Sequence, residues 1–511
     1  MFAVIDSWIP ESIVTIDSQE NKLAATDSSP AGVSPIKVLT ATSLLLLAVL
    51  VGSKQNGGLS LFTVCLLSSM IALLTLVFLT SIGHNGFWSI SSVYAAVFFI
   101  FHFGIVLLYP IGLMSDDIKS IVYPWFLRDS TVRAIYLSTI GLLSFALGST
   151  AVNLGRGHYR QHTETGNPHN PSTSSLKVLR SSGVILVVVG VAYWFSSIFA
   201  SGGTSALIGS YQSYRESTAI NSSPFIWLIV GSGLSCLAAS PPSRIRRIGF
   251  MLFVPMATSA LLLGVRGSVL YTVLVVVAIA ARTGKPPQAL STILLAIVIL
   301  FTIAGIRELR IAGAGSGAID LQPGSAFDSI AELGSTLRPV GESVIWHDQG
   351  DGELHGASYF APFDRELCTL SGSICTPAQD DPRVLNEVVK SRVGSIGFSV
   401  TAEAYVNFGV LGVVCVASIV GSLMGFFDRL RPSPFRDAFV GAILIEFLYN
   451  IRNTFIQLPA HLALTAAIFA VAWVFSLISA QQPMGVQMSS VLPLTPSISE
   501  LNPSRSSGDP K

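Results

Sequence analysis

Apolar blocks and short polar connectors alternate along most of the chain. Blocks of about twenty residues, the length that crosses a bilayer core, centre on 36–53, 60–82, 88–113, 133–154, 182–200, 224–239, 248–264, 268–281, 289–306, 408–427, 438–450 and 458–479. The pattern predicts about twelve membrane-spanning helices. Only Val265, Arg266 and Gly267 separate the seventh from the eighth. The longest polar interval, Arg307 to Asn407, lies between the ninth and tenth. Inside it, Phe327, Ile330, Leu333, Leu337, Val340 and Val344 recur at spacings of three and four, which makes one apolar helical face. This predicts a helix over 325–346 that lies along the membrane or roofs the bundle, kinked or split by Pro339.

Composition supports the pattern. Of 511 residues, 50% are hydrophobic and 12% are charged. Soluble domains carry about a quarter charged residues, so a soluble enzyme is excluded. The net charge of +1 gives no case for nucleic acid or an acidic partner. The fold expected is an all-α polytopic membrane protein with a large extracytoplasmic loop or lid at 307–407. Residues 1–35 hold five acids and no basic-then-apolar leader, and read as a disordered cytoplasmic arm. Residues 481–511 are rich in Ser and Pro and read as a disordered tail. The transmembrane domain is then 36–480.

Basic residues orient the bundle. Arg156, Arg160, Lys177 and Arg180, then Arg244, Arg246 and Arg247, then Arg282 and Lys285, then Arg429, Arg431 and Arg436 all fall on one face if the N-terminus is cytoplasmic. Both termini are then inside. The opposite face receives Arg215, Arg266, Arg307, Arg310, Arg338 and Arg452. Arginine grips phosphate in a bidentate fork and stays charged at any physiological pH, so this set suits a diphosphate. The alternative is that such arginines snorkel to lipid headgroups. Basic residues are scarce in short loops on this face, which favours function for Arg266 and Arg452.

Two acids could serve as a proton acceptor. Glu332 lies in AELGS and Glu403 in AEAYVNFG. Their structural alternatives are a solvated helix face and a helix-start or arginine partner, respectively. Glu446, in a span roughly 9 Å below Arg452 along one helix, should face the bundle interior or pair with a base. Tyr359 in HGASYF, and Tyr405 and Asn407 in AEAYVNFG, supply aromatic and amide groups of a kind that contact sugars. An interfacial aromatic belt accounts for the tyrosines equally well. Cys368 and Cys375 are close enough for a disulfide if the lid is extracytoplasmic. Cys65, Cys236 and Cys415 sit in apolar spans as small hydrophobes. No histidine pair or acid cluster has metal-ligand spacing, and no P-loop or dinucleotide fingerprint occurs.

GVRGSVLYTVLVVVA (Gly264 to Ala278), AELGSTLRP (Ala331 to Pro339), HGASYFAPF (His355 to Phe363), GFSVTAEAYVNFGVLG (Gly397 to Gly412) and YNIRNTF (Tyr449 to Phe455) come in an order that resembles the Wzy-type O-antigen and capsular polysaccharide polymerases. The resemblance covers Gly264 to Phe455, and earlier spans in topology alone. It implies a GT-C-like membrane glycosyltransferase in the cytoplasmic membrane. Such an enzyme polymerises undecaprenyl-diphosphate-linked oligosaccharide repeat units on the outer face, without nucleotide sugar, metal or other cofactor. By that resemblance Arg266 and Arg452 would hold the diphosphate, with Arg307 or Arg310 beside them. Glu332 and Glu403 match the motif acids. A chain-length regulator and a flippase are the partners it implies, besides the bilayer. A glycan ligase using the same carrier, or a lipid-linked-oligosaccharide flippase or transporter, are the rival functions. A transporter tends to show paired halves with interrupted helices, and no internal symmetry is visible here.

Overall fold

The computed structural model describes residues 59–83, 85–154, 173–200, 224–263, 265–284, 305, 323–372 and 376–481. Among these residues the secondary structure is helical throughout, with no strand. In chain order the helices are α1 (Leu61–Ile82), α2 (Ile90–Ile111), α3 (Asp116–Phe126), α4 (Asp129–Leu154), α5 (Thr173–Ala200), α6 (Pro224–Ala238), α7 (Arg244–Leu262) and α8 (Arg266–Thr283). There follow α9 (Pro323–Gly334), α10 (Leu337–Asp348), α11 (Ala357–Leu370), α12 (Leu385–Arg392), α13 (Val400–Arg429), α14 (Pro434–Asn450) and α15 (Leu458–Gln481).

Eight of these (α1, α2, α4, α5, α7, α8, α13, α15) are long and apolar enough to cross a membrane. The expected spans at 224–239 and 438–450 are the shorter helices α6 and α14, of 15 and 17 residues. That at 36–53, and that at 289–306 except for residue 305, lie outside the described residues. Large apolar side chains such as Phe62, Val77, Phe199 and Leu411 are exposed on these helices. That is the surface a bilayer covers, because lipid removes the cost of leaving it bare to water.

Helices in lipid associate by close packing rather than by excluding water. Along the contact between α4 and α13, a Cβ at Gly421 would meet the Phe145 carbonyl oxygen at 2.0 Å. A Cβ at Gly148 would meet the Ser418 carbonyl oxygen at 2.1 Å. The hydroxyl of Ser149 bonds that of Ser91 in α2 at 2.8 Å, adding a third helix.

At the C-terminal end of α13, a buried charge cluster joins four helices, α2, α8, α13 and α14. The Asp428 carboxylate accepts from the amides of Ile90 (2.7 Å) and Ser91 (2.9 Å), two of the donors that a helix N-terminus leaves open. Arg282 donates to Asp437 at 3.1 Å and to the Leu430 carbonyl at 3.0 Å, and lies 3.8 Å from Asp428.

The predicted helix over 325–346 is two helices. The break falls at Ser335–Thr336, upstream of Pro339. Pro339 is the third residue of α10, where its missing N–H removes no intrahelical bond. Both halves pack into the bundle. Leu337, Val340 and Val344 are fully buried, and Gly334 abuts the backbone of Ile105.

A second difference concerns the start of the tenth expected span. Helix begins at Val400, eight residues earlier, where the Ser399 side chain accepts from the Ala402 amide. Phe408 and Gly409 then break the helical geometry, with Gly409 at φ +60°. This conformation costs an L side chain but not glycine. The kink also frees carbonyls of the preceding turn. Those of Val406 and Asn407 accept from the amides of Leu354 and His355, both at 3.0 Å. The segment leading into α11 is thus stitched to the kink.

Candidate functional site

The short helical piece Val400–Asn407 carries residues of interest on two faces. On one face is Glu403, 2% exposed. Its Oε1 accepts from Ser358 Oγ at 2.7 Å, and its Oε2 accepts from the Phe455 amide at 2.6 Å. Asn407 lies one turn on. Its Nδ2 donates to Ser358 Oγ at 2.7 Å and to the Glu403 carbonyl at 2.8 Å. Ser358 therefore accepts from Asn407 and donates to Glu403. The acid, the amide and the hydroxyl form one network assembled from α11, α13 and the turn before α15.

Two buried polar atoms beside this network have no partner among the described residues: Asn407 Oδ1 and Tyr359 Oη. Buried polar groups are nearly always hydrogen-bonded, so such orphans mark places for a ligand or an ordered water. Burial, and secondarily the Glu403 charge, pushes the Tyr359 phenol well above its ordinary range. It remains a donor at any physiological pH. Its ring packs edge-on to Phe455, with centroids 5.2 Å apart.

Arg452 adjoins this network. It sits in the turn after α14, three residues before the Phe455 amide that holds Glu403. Gly397, at φ +76°, brings the chain before α13 against it. A Cβ there would stand 3.3 Å from the Arg452 carbonyl oxygen and 4.0 Å from its Nε. Among the described residues Arg452 makes no ion pair. It interacts electrostatically with Tyr271 on α8 and with Tyr449.

Arg266, the first residue of α8, is mostly buried and pairs with Glu332 of α9 at 3.3 Å. Tyr271, which lies close enough to Arg452 to feel its charge, is five residues further along α8. Glu332 is thus an arginine partner, half-exposed. Arg338 lies 3.6 Å from Glu342, which also faces Arg128 at 3.5 Å, and belongs to that separate cluster. Arg215, Arg307 and Arg310 lie outside the described residues. Cys368 is disulfide-bonded, and its expected partner Cys375 is also outside them.

Tyr405 occupies the other face of the same helical piece. Arg133 Nη2 approaches its hydroxyl at 3.4 Å, and Arg133 also chelates Asp348, at 2.6 and 2.8 Å. The His347 ring lies 5.7 Å from the Tyr405 ring.

Glu446, expected to face the interior or pair with a base, bonds His461 Nδ1 at 2.5 Å in the bundle. Sequence reasoning missed Ser358, although it stood in the HGASYF string next to Tyr359. It also missed the Phe455 amide, a backbone donor with no residue-type signal.

Residues 36–482 match the family of the O-antigen polysaccharide polymerase Wzy. The chain belongs to that family. It is also 26% identical over 213 residues to Protein CapE of Staphylococcus aureus. That match takes in 42% of this chain and 47% of CapE, so the chain spans about half the length of this curated relative. No solved structure matches. The motif strings that carried the resemblance to Wzy proteins supply Glu403 and Asn407 of the network, Tyr359 next to its serine, and Arg452 in the turn that leads to the Phe455 amide.

Proposed function

We propose that this Wzy-family protein polymerises oligosaccharide repeat units carried on a polyprenyl diphosphate. One observation carries the reading: a buried carboxylate is held by two donors, one of them the Phe455 amide, in the turn that three residues earlier carries Arg452, which has no ion-pair partner among the described residues. In the reaction the acceptor sugar hydroxyl attacks the anomeric carbon of the donor chain. A new C–O bond forms, the anomeric carbon–phosphate oxygen bond breaks, and its electron pair leaves with the diphosphate. Glu403 takes the hydroxyl proton as the bond forms. Ser358 and the Phe455 amide hold the carboxylate in place, and Asn407 Oδ1 and Tyr359 Oη are free to bind sugar hydroxyls. Arg452, and Arg266 with it, would face the charge that accumulates on the leaving diphosphate.

The reading needs no nucleotide sugar and no metal, since the carrier diphosphate is already a charged leaving group. It places the site on the outer face of the cytoplasmic membrane, with both termini inside, as the basic-residue bias implies. A flippase that delivers the units and a regulator of chain length are partners of the same reading.

A host lacking this protein, with its surface glycan displayed on a gel, tests it. Restoring the gene should restore a ladder of repeat lengths. Arg452→Ala and Glu403→Gln should each reduce the ladder to single capped units while the protein still reaches the membrane. Normal ladders from both variants would rule out the proposed site.

A further inference from the structure

Behind the Glu403 network, across the wall formed by Val400–Asn407, lies a second cavity of about 280 Å³. Its lining comes from α10, the segment stitched to the kink, α12 and α13. Trp346, His347 and Tyr405 give aromatic surface, Leu354 gives aliphatic surface, and Asp351 and Arg392 stand at the rim. Arg392 donates to Asp351, and its guanidinium also lies over the Trp346 ring, 5.0 Å from the centroid.

We propose that this cavity is a saccharide subsite, which holds a sugar of the glycan chain away from the centre where the new bond forms. The proposal rests on the polymerase reading, which makes the ligand a glycan. The volume is close to the lower end of small-molecule sites, roughly 300–1,000 Å³, and leaves room for a sugar ring. A sugar presents C–H faces and a fringe of hydroxyls. Aromatic and aliphatic walls suit the faces, and a planar carboxylate and guanidinium at the rim suit the hydroxyls. Other occupants fit less well. The Arg392 charge is matched by Asp351, so the rim offers no net cation for a second diphosphate. The charged rim is a poor seat for a polyprenyl tail. The position also suits a chain-building enzyme, because Tyr405 of the cavity and Glu403 are two residues apart on opposite faces of one helical piece.

The test uses the full chain in detergent and the repeat-unit oligosaccharide freed from the host's lipid carrier by mild acid. Binding is followed by calorimetry. Asp351 and Arg392 are about half-exposed, so their loss should leave the fold intact, which unfolding temperatures will check. Asp351→Ala and Arg392→Ala should each weaken binding about tenfold, the effect of one lost hydrogen bond to a charged group. In cells they should shift the ladder toward short chains rather than to single units. If Arg392→Ala lowers the unfolding temperature, Asp351→Ala alone decides. Wild-type binding and a wild-type ladder from Asp351→Ala, with Glu403→Gln reduced to single units, would overturn the subsite and leave the reaction standing. A normal ladder from Glu403→Gln would instead overturn the reading of the reaction, whatever the cavity variants do.

Discussion

Single atoms decide what Glu403 can do. Its two oxygens are held by donors of different kinds, a hydroxyl and a backbone amide. Only the hydroxyl can be removed by substitution. Ser358→Ala should leave the amide bond in place, lose the link to Asn407, and cost about 1–3 kcal/mol in the transition state. Ladder synthesis should fall by about 5- to 150-fold, measured as the rate of repeat addition in membranes. Tyr359 is a separate case. Its hydroxyl is buried without a partner among the described residues, which is a cost to the folded protein. Tyr359→Phe should therefore unfold at the same or a slightly higher temperature while it polymerises more slowly. A fall in both would show the hydroxyl to be structural.

Helices carry a different kind of information. The α4–α13 contact leaves no space for a side chain at Gly421. Gly421→Leu should separate the two helices, and the protein should be lost from the membrane or unfold early in detergent. The Arg282 cluster is governed by charge. Removing the arginine leaves Asp428 and Asp437 buried together, and truncating one partner of such a group costs about 3–5 kcal/mol. Arg282→Ala should lower the unfolding midpoint sharply. Pairing Arg282→Met with Asp437→Leu should recover part of the loss, because an apolar replacement leaves fewer unmatched ions.

At this scale the sequence was legible where chemistry is periodic. Blocks of about twenty apolar residues marked the spans, and the acid, amide and tyrosine of AEAYVNFG marked one helical piece. Two things were hidden. The break between α9 and α10 depends on how the backbone packs at Gly334, and a proline downstream pointed to the wrong residue. The kink at Phe408–Gly409 needs the Gly409 conformation, which no hydrophobic spacing reveals. It explains why the membrane helix starts eight residues before the apolar block does.

Across the whole molecule, ion pairs fasten the segment between α11 and α12, where Arg383 pairs with Asp364 and Asp381. Asp381 is buried, which pushes its carboxyl upward, but hydrogen bonds from Arg383 and the charges of Arg383 and Arg365 outweigh this and hold it below the ordinary carboxylate range. A carboxyl depressed in the folded state contributes stability above its unfolded pKa of about 3.9 and loses it as the pH falls through the folded value. Amide protection across residues 376–392, after correction for the intrinsic exchange rate at each pH, should therefore be unchanged from pH 8 to about pH 5 and should fall below about pH 4. A fall already at pH 6 would mean that another group holds the segment. The site at this scale was only half legible. Arg452 and Glu403 could be singled out in the chain, but the cavity behind them draws on four segments brought together by folding.

The backbone ladder between Leu354, His355 and the kink has one more effect. Asn407 gives its carbonyl to the lid and its amide side chain to the serine that steadies the acid. A shift of the segment at Leu354 and His355 therefore reaches the Glu403 carboxylate through a single residue, Asn407, so the two move as one mechanical unit.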